Sequence, residues 1–429
     1  MNSEHGHTST AAAGSEEQLR AGLTKIQMLG LVVGIVAIAV CAGVAFSSHD
    51  DVNVESFYRA YLYGYIFWLG LALGSGGIAM IHNLTSGKWG LPARRTIVAA
   101  NGNILLMAVL GIPLLIAIHS KHLYGWAGYG PDPHLGPHKA LWFSPNLVTM
   151  RAVICFFIWF ILSQMIRIGA KKVEETGRFA VVKVFAGMSA VGLILYVLTA
   201  TVMCVDWVMS ITPDWFSTMF TLIFLMGQML SAFCFAVFVS AHLNKYEPVY
   251  GKVNADQYND LGSFMFAFVV LWSYMSFAQL LITWMGGLKS EMAWYVPRFQ
   301  GLSLIIGLGL MFLQFLLPFL ILMNRNIKRN PGILSKVALF LLFMRLVDLA
   351  YLIKPSYEVK PRKTWMDIVM PFGIGGLFLF LFLWRLKAGR LAPPPLVNEY
   401  TAAESGGHPG LLGSTDYGAA ISHRKGPVP

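Results

Sequence analysis

Along this chain apolar residues collect in long runs, and the polar residues fall between them in short connections. A helix needs ~20 apolar residues to cross ~30 Å of hydrocarbon, because it rises only ~1.5 Å per residue. Runs near that length cover Ile26 to Phe46, Tyr58 to Ile81, Ile97 to Ile118 and Leu147 to Ile168 in the first half. Val181 to Cys204, Phe216 to Ala241, Leu261 to Trp284, Gly301 to Met323, Ile333 to Ile353 and Ile368 to Trp384 follow in the second. The pattern predicts an all-α, polytopic membrane protein of about ten transmembrane helices.

The ends differ from the middle. Residues 1–25 are polar and rich in small side chains, with no apolar stretch ahead of Ile26, so no cleavable signal peptide is expected and the helix over 26–46 is retained. Cys41 is no lipoprotein site, since Ala39 and Val40 precede it without the usual small-residue signal and it lies deep in the apolar run. Residues 388–429, with Pro393, Pro394 and Pro395 followed by Gly, Ser and His, cannot bury a core and read as a flexible or partner-docked extension.

Composition agrees with the pattern: 56% of the residues are hydrophobic and only 12% charged. A soluble globule of this size would expose large apolar patches, so lipid is part of this chain's solvent. Lys and Arg set the orientation. Lys88, Arg94, Arg95, Arg167, Lys171, Lys172, Arg178, Lys245, Lys252, Arg325, Lys328 and Arg329 fall in loops that share one side, which is therefore the cytoplasm. An even number of spans puts both termini there, adding Arg20, Lys25, Arg385, Lys387 and Arg390. The opposite loops carry the Asp50-Asp51 turn and the stretch from Asp206 to Asp214, while Lys354, Lys360, Arg362 and Lys363 dissent. The net charge of +11 is thus a topology signal spread over short loops, and no nucleic-acid partner is expected.

Cys41, Cys155, Cys204 and Cys234 stand far apart inside predicted helices, with neither CxxC nor CxxCH spacing, which excludes iron–sulfur ligation and covalent haem. His82, His119 and His242 sit at helix ends, not at the membrane depth a b-type haem needs. His119, His122, His134 and His138 share one loop, but no Cys or carboxylate cluster joins them, so no metal is assigned. No redox cofactor is expected in this chain. Trp68, Trp207, Trp215, Trp272, Trp284 and Trp294 lie mostly near span ends and read as the interfacial aromatic belt.

Ionisable side chains inside a span cost at least ~2.5–3.5 kcal/mol on insertion scales, so each is a candidate functional group. Arg345 and Asp348 lie on one face of the ninth predicted helix and can pair, either with each other or, for Arg345, with Asp206. Asp206 ends the fifth span and Arg151 opens the fourth, which places these four groups in the outer half, with Gln279 beside them. The cytoplasmic half offers His82, Asn101, Asn103, Gln314 and His242, and Gln228 and Tyr196 lie near the middle. Two half-channels with a sparse gate between them fit this distribution, and the ensemble is a candidate proton path. Each amide taken singly is also explained by interhelical hydrogen bonding, worth ~0.6 kcal/mol. The charged pairs are equally explained by helix packing.

The second span and its exit, YRAYLYGYIFWLGLALGSGGIAMIHNLTSGKWGLPARR, and the entry of the fourth, LVTMRAVICFFIWFIL, resemble signatures of the F subunits of alternative complex III. VDWVMSITPDWFSTMFTLIFLMGQMLSAF, FAFVVLWSYMSFAQLLITWMGGLKSEMAWYVPR, LPFLILMNRNIKRNP and MRLVDLAYLI follow in the family's order, so the resemblance runs from about Ser56 to Ile353. That family lies within the membrane-anchor superfamily of the polysulfide reductase and formate-dependent nitrite reductase anchors. The resemblance implies two four-helix bundles, over 57–204 and 205–353, flanked by helices over 26–46 and 367–385. It also implies a membrane subunit of a bacterial quinol:cytochrome c (or other electron acceptor) oxidoreductase. Haem c, iron–sulfur clusters and quinol would then be held by partners: a multihaem cytochrome c subunit, an iron–sulfur subunit and a sister membrane subunit of the same superfamily, with a terminal oxidase as a further candidate partner. This subunit is implied to support proton movement.

The family often carries paired His where His82-Asn83 stands, and paired Glu in the seventh-to-eighth loop where Ser290-Glu291 stands, so a proton role tied to those pairs does not transfer. Two other readings stay open. One is a passive scaffold that closes the sister subunit's quinol pocket against lipid. The other is a secondary transporter, which would want broken helices at matching positions of two repeats; Pro113 and Pro318, in the third and eighth spans, do not match.

Overall fold

A computed structural model describes residues 15–47, 50–85, 87–120, 122–127, 137–176, 184–247, 249–250, 252–357, 364–389 and 391. His134, Arg178, Lys360, Arg362, Lys363, Arg390 and the two tails outside these ranges lie beyond the described residues. The long helical segments are α1 (Glu16–Ser47), α2 (Asp51–Thr85), α3 (Leu91–Ile118), α4 (Pro145–Thr176) and α5 (Ala186–Trp207). After them come α6 (Thr218–Leu243), α7 (Ala255–Gly286), α8 (Gly301–Met323), α9 (Pro331–Ile353) and α10 (Met366–Lys387). The described residues contain no β-strand.

Nine of these helices are long and apolar enough to cross a membrane, which makes the chain a multi-pass membrane protein. The remaining one, α9, is a full 23 residues but carries Lys336, Arg345 and Asp348 along its length, so apolarity alone passes it over. Several helices outrun the sequence expectation: α1 starts at Glu16, ahead of Ile26, and α7 at Ala255, ahead of Leu261. Outward faces carry side chains that water would reject, such as Leu29 and Ile35 on α1, Phe277 and Met285 on α7, and Leu302 and Ile305 on α8.

The interior is organised on α2 and α6, which are buried almost all round. In lipid no hydrophobic force drives helix against helix, so close backbone approach through small residues does this work. Gly70 and Gly74 of α2 receive Gln228 of α6, and a Cβ on Gly74 would stand 2.2 Å from the Gln228 carbonyl oxygen. A second glycine seam joins α1 to α10, where a Cβ on Gly376 would stand 2.3 Å from the Gly30 carbonyl oxygen. Trp68 fastens α10 to α2 by donating to the Pro371 carbonyl at 2.7 Å. The first and last long helices therefore lie side by side, against α2.

Two helices depart from regular winding. Between Asn101 and Ile104, α3 breaks at Gly102-Asn103. Further along it, the Tyr61 and Tyr65 hydroxyls of α2 donate to the carbonyls of Leu110 and Met107. In α8, Leu310–Leu316 winds as a π-helix just ahead of Pro318, and Gln314 lies within that stretch.

Candidate functional site

The four ionisable residues expected in the outer half form two separate pairs. Asp206, fully buried on α5, accepts from Arg151 Nε at 2.8 Å and Arg151 Nη2 at 3.0 Å, and from Trp142 Nε1 at 3.0 Å. The same guanidinium lies over the Trp142 ring and donates to its carbonyl. This is a bidentate fork on a carboxylate with a third donor, so the acid is satisfied and geometrically fixed. Trp142 comes from a short helix, Pro137–Trp142, whose part in the pair has no local sequence signal.

Arg345 and Asp348 pair with each other through Nη1 and Oδ2, and the alternative partnership of Arg345 with Asp206 is not formed. Trp272 of α7 also donates to Asp348 Oδ2, at 3.1 Å, while no hydrogen bond from a described residue reaches Oδ1. The Arg345 guanidinium lies against Gly227 of α6, where a Cβ would fall 2.1 Å from its Cζ, so glycine is what admits it. Gln314 flanks Asp348 without closing a bond. It lies within the Leu310–Leu316 stretch of α8 and meets this pair, while the sequence groups it with the cytoplasmic set. Trp272 is likewise buried and bonded, and Trp207 is buried, so neither belongs to an interfacial belt, whereas Trp284 at 69% exposure fits one.

Near the middle, Tyr196 donates to Gln228 Oε1 at 2.7 Å. Asn101 Nδ2 donates to the Ala72 carbonyl of α2, and Asn103 Nδ2 to the Phe378 carbonyl of α10, so the two amides tie down the break in α3. Their Oδ1 atoms, and both amide atoms of Gln279 and Gln314, are buried without a hydrogen-bond partner among the described residues. Buried polar atoms are paired as a rule, so these are places with room in their bonding for a water or ligand.

At the other end of α2, His82 Nδ1 accepts from Arg94 Nη1 at 3.0 Å and its Nε2 faces the Gly87 carbonyl at 3.1 Å. That arrangement assigns the neutral ring with hydrogen on Nε2. Arg94 also donates to Asn83 Oδ1, and Asn83 to Ser189 Oγ, so His82 and Asn83 serve one interhelical network. His242 stands apart, exposed, with Nδ1 facing the Phe238 carbonyl of its own helix. It borders a cavity of about 420 Å³ with Lys245, Asn330 and Lys336.

The sequence reading missed Arg298, which belongs to the turn Val296–Phe299 and is 1% exposed. Its guanidinium donates to the carbonyls of Trp294, Tyr351 and Leu352 and to Ser356 Oγ, tying the α7–α8 connection to the end of α9. Burial pulls its pKa down to about 9, which leaves it cationic at neutral pH. Lys354, one of the dissenting outer charges, pairs with buried Asp367 at 3.3 Å. A charge fork on scattered carbonyls leaves no motif to find in advance.

His119 bonds Thr149, and among the described residues no group of three His, Cys, Asp or Glu side chains comes together to hold a metal. A cavity of about 480 Å³ between α7, α8 and α9 is lined by Gln279 and Asp348. No family model matches this chain, and no curated protein matches it.

Proposed function

We propose that this chain is a membrane subunit, without redox cofactor of its own, of a bacterial quinol:electron acceptor oxidoreductase of the alternative complex III type, and that it handles protons there. In this proposal α9 also crosses the membrane, which makes ten spans, and α2–α5 and α6–α9 form two four-helix bundles. Both termini face the cytoplasm, and haem c, iron–sulfur clusters and the oxidised quinol belong to the partner subunits. What supports it, besides the resemblance of long loop-containing segments, is one observation: Asp348 is a buried carboxylate in a membrane helix, held by Arg345 and Trp272 on one oxygen only, at the wall of a cavity. A carboxylate so placed can take up and release a proton, with Arg345 as the counter-charge that holds its position.

Asp348→Asn in the assembled complex tests this. Quinol oxidation is expected to continue with fewer protons displaced per electron. An unchanged ratio refutes the relay.

The scaffold reading is favoured at a different place. Arg151, Asp206 and Trp142 complete one another's bonding, so this trio fastens α4 to α5 and is assigned no part in proton transfer.

A further inference from the structure

We propose that the cavity between α7, α8 and α9 binds a neutral, lipid-borne ring that carries carbonyl or hydroxyl groups, a molecule of the quinone class. The proposal goes beyond the function argued above, which requires no ligand in this chain.

Size, walls, door and polar groups all bear on the occupant. The space measures about 480 Å³, within the range of small-molecule sites. Trp272, Trp294 and Tyr295 supply aromatic walls. On the outer side the lining continues into Phe277, Leu304, Leu308 and Met311, which are 39–61% exposed on faces that meet lipid. A ligand dissolved in the bilayer therefore enters between α7 and α8 without passing through water.

Two acceptors and one donor wait inside. Gln279 is 2% exposed, lines the cavity, and has neither amide atom hydrogen-bonded; Tyr295 lies near it without closing a bond. Asp348 presents the carboxylate whose Oδ1 takes no bond from a described residue. An amide N–H meets a ring carbonyl, and a carboxylate or amide oxygen meets a ring hydroxyl, so both redox forms of a quinone can be accommodated.

The cationic chemistry argues against a phospholipid headgroup. Arg298 is the cation in the lining, and its guanidinium is committed to three carbonyls and a serine hydroxyl. Arg345 is committed to Asp348. A phosphate would find a carboxylate already paired with Arg345 and no free cation.

The test uses the full chain in phosphatidylcholine nanodiscs doped with increasing decylubiquinone, read by quenching of tryptophan fluorescence, since Trp272 and Trp294 line the cavity. Wild type is expected to show a saturable component above the linear collisional one. Gln279→Leu should bind about tenfold more weakly, the loss of one buried hydrogen bond. Ser276→Phe, which fills the half-buried lining position one turn from Trp272, should abolish the saturable component. Purely linear quenching in wild type overturns the site, as does saturable quenching identical in both variants. Quenching by dibrominated phosphatidylcholine that decylubiquinone does not relieve also overturns it, because the slot then holds a phospholipid chain. None of these results bears on the proton count of Asp348→Asn, so the two proposals fail separately.

Discussion

Arg151→Met removes two of the three donors to Asp206 and leaves that carboxylate with Trp142 alone. Breaking a buried ion pair from one side costs ~3–5 kcal/mol, because the surviving charge stays buried and uncompensated. Here Asp206 is 0% exposed while the Arg151 side chain is 16% exposed, so water already screens the arginine end and the lower limit, ~3 kcal/mol, applies. At ~1.4 kcal/mol per tenfold, the unfolded-to-folded ratio should rise about 100-fold. The control is the double variant Arg151→Met with Asp206→Asn, which removes the stranded charge and should recover at least ~1 kcal/mol of the loss. Steric-trap unfolding of the full chain in bicelles measures both. A single variant within ~0.5 kcal/mol of wild type, or a double variant whose loss equals the sum of the two single losses, would refute the assignment of this pair as a fastener.

Further expectations follow from the same contacts. Gly74→Leu must part α2 from α6, since even its Cβ would meet the Gln228 carbonyl, and should abolish monodisperse protein in size exclusion, whereas Gly43→Leu, with nothing within 4 Å, should not. Trp272→Phe removes a hydrogen bond to a charged group, worth ~1.5–3 kcal/mol, and should lower the thermal midpoint, while Trp284→Phe at an exposed position leaves it unchanged. Arg298→Lys replaces a fork that reaches four acceptors with a point charge, and should speed proteolysis of the α7–α8 connection while wild type resists under the same conditions.

Hydropathy made the helices legible because lipid imposes a length and a solvent on each one separately: the expected Gly301 to Met323 span is α8 as observed. Arg345 and Asp348 were legible too, since spacing within one helix fixes which side chains share a face. Partnerships between elements were not. Nothing local says that Trp142 and Arg151 meet Asp206, or that Trp272 reaches inward where Trp284 faces out. Gly227 is a case of its own, since its role is the absence of a side chain where Arg345 lies, and absence carries no periodic signal. Gln279 and Gln314 could be named as buried amides, but whether their hydrogen bonds are made depends on three-dimensional packing.

The buried polar groups divide by whether their bonding is complete, and that division separates fasteners from candidates for transport. Arg151 and Trp142 with Asp206 form a closed set. A second series runs across α2 and α6 through glycines: Asn101 abuts Gly76, Tyr196 abuts Gly77 and bonds Gln228, and Arg345 abuts Gly227, next to Gln228 in the chain. Asp348 and Gln314 continue it on the far side. Side chains at those glycines would close the gaps with carbon. The open amide atoms lie toward the two ends, at Asn101 and at Gln314, so those are the points where water would join the series. Amides relay hydrogen bonds but hold no net charge, so under the function proposed above Asp348 is the carboxylate of the series that would store a proton.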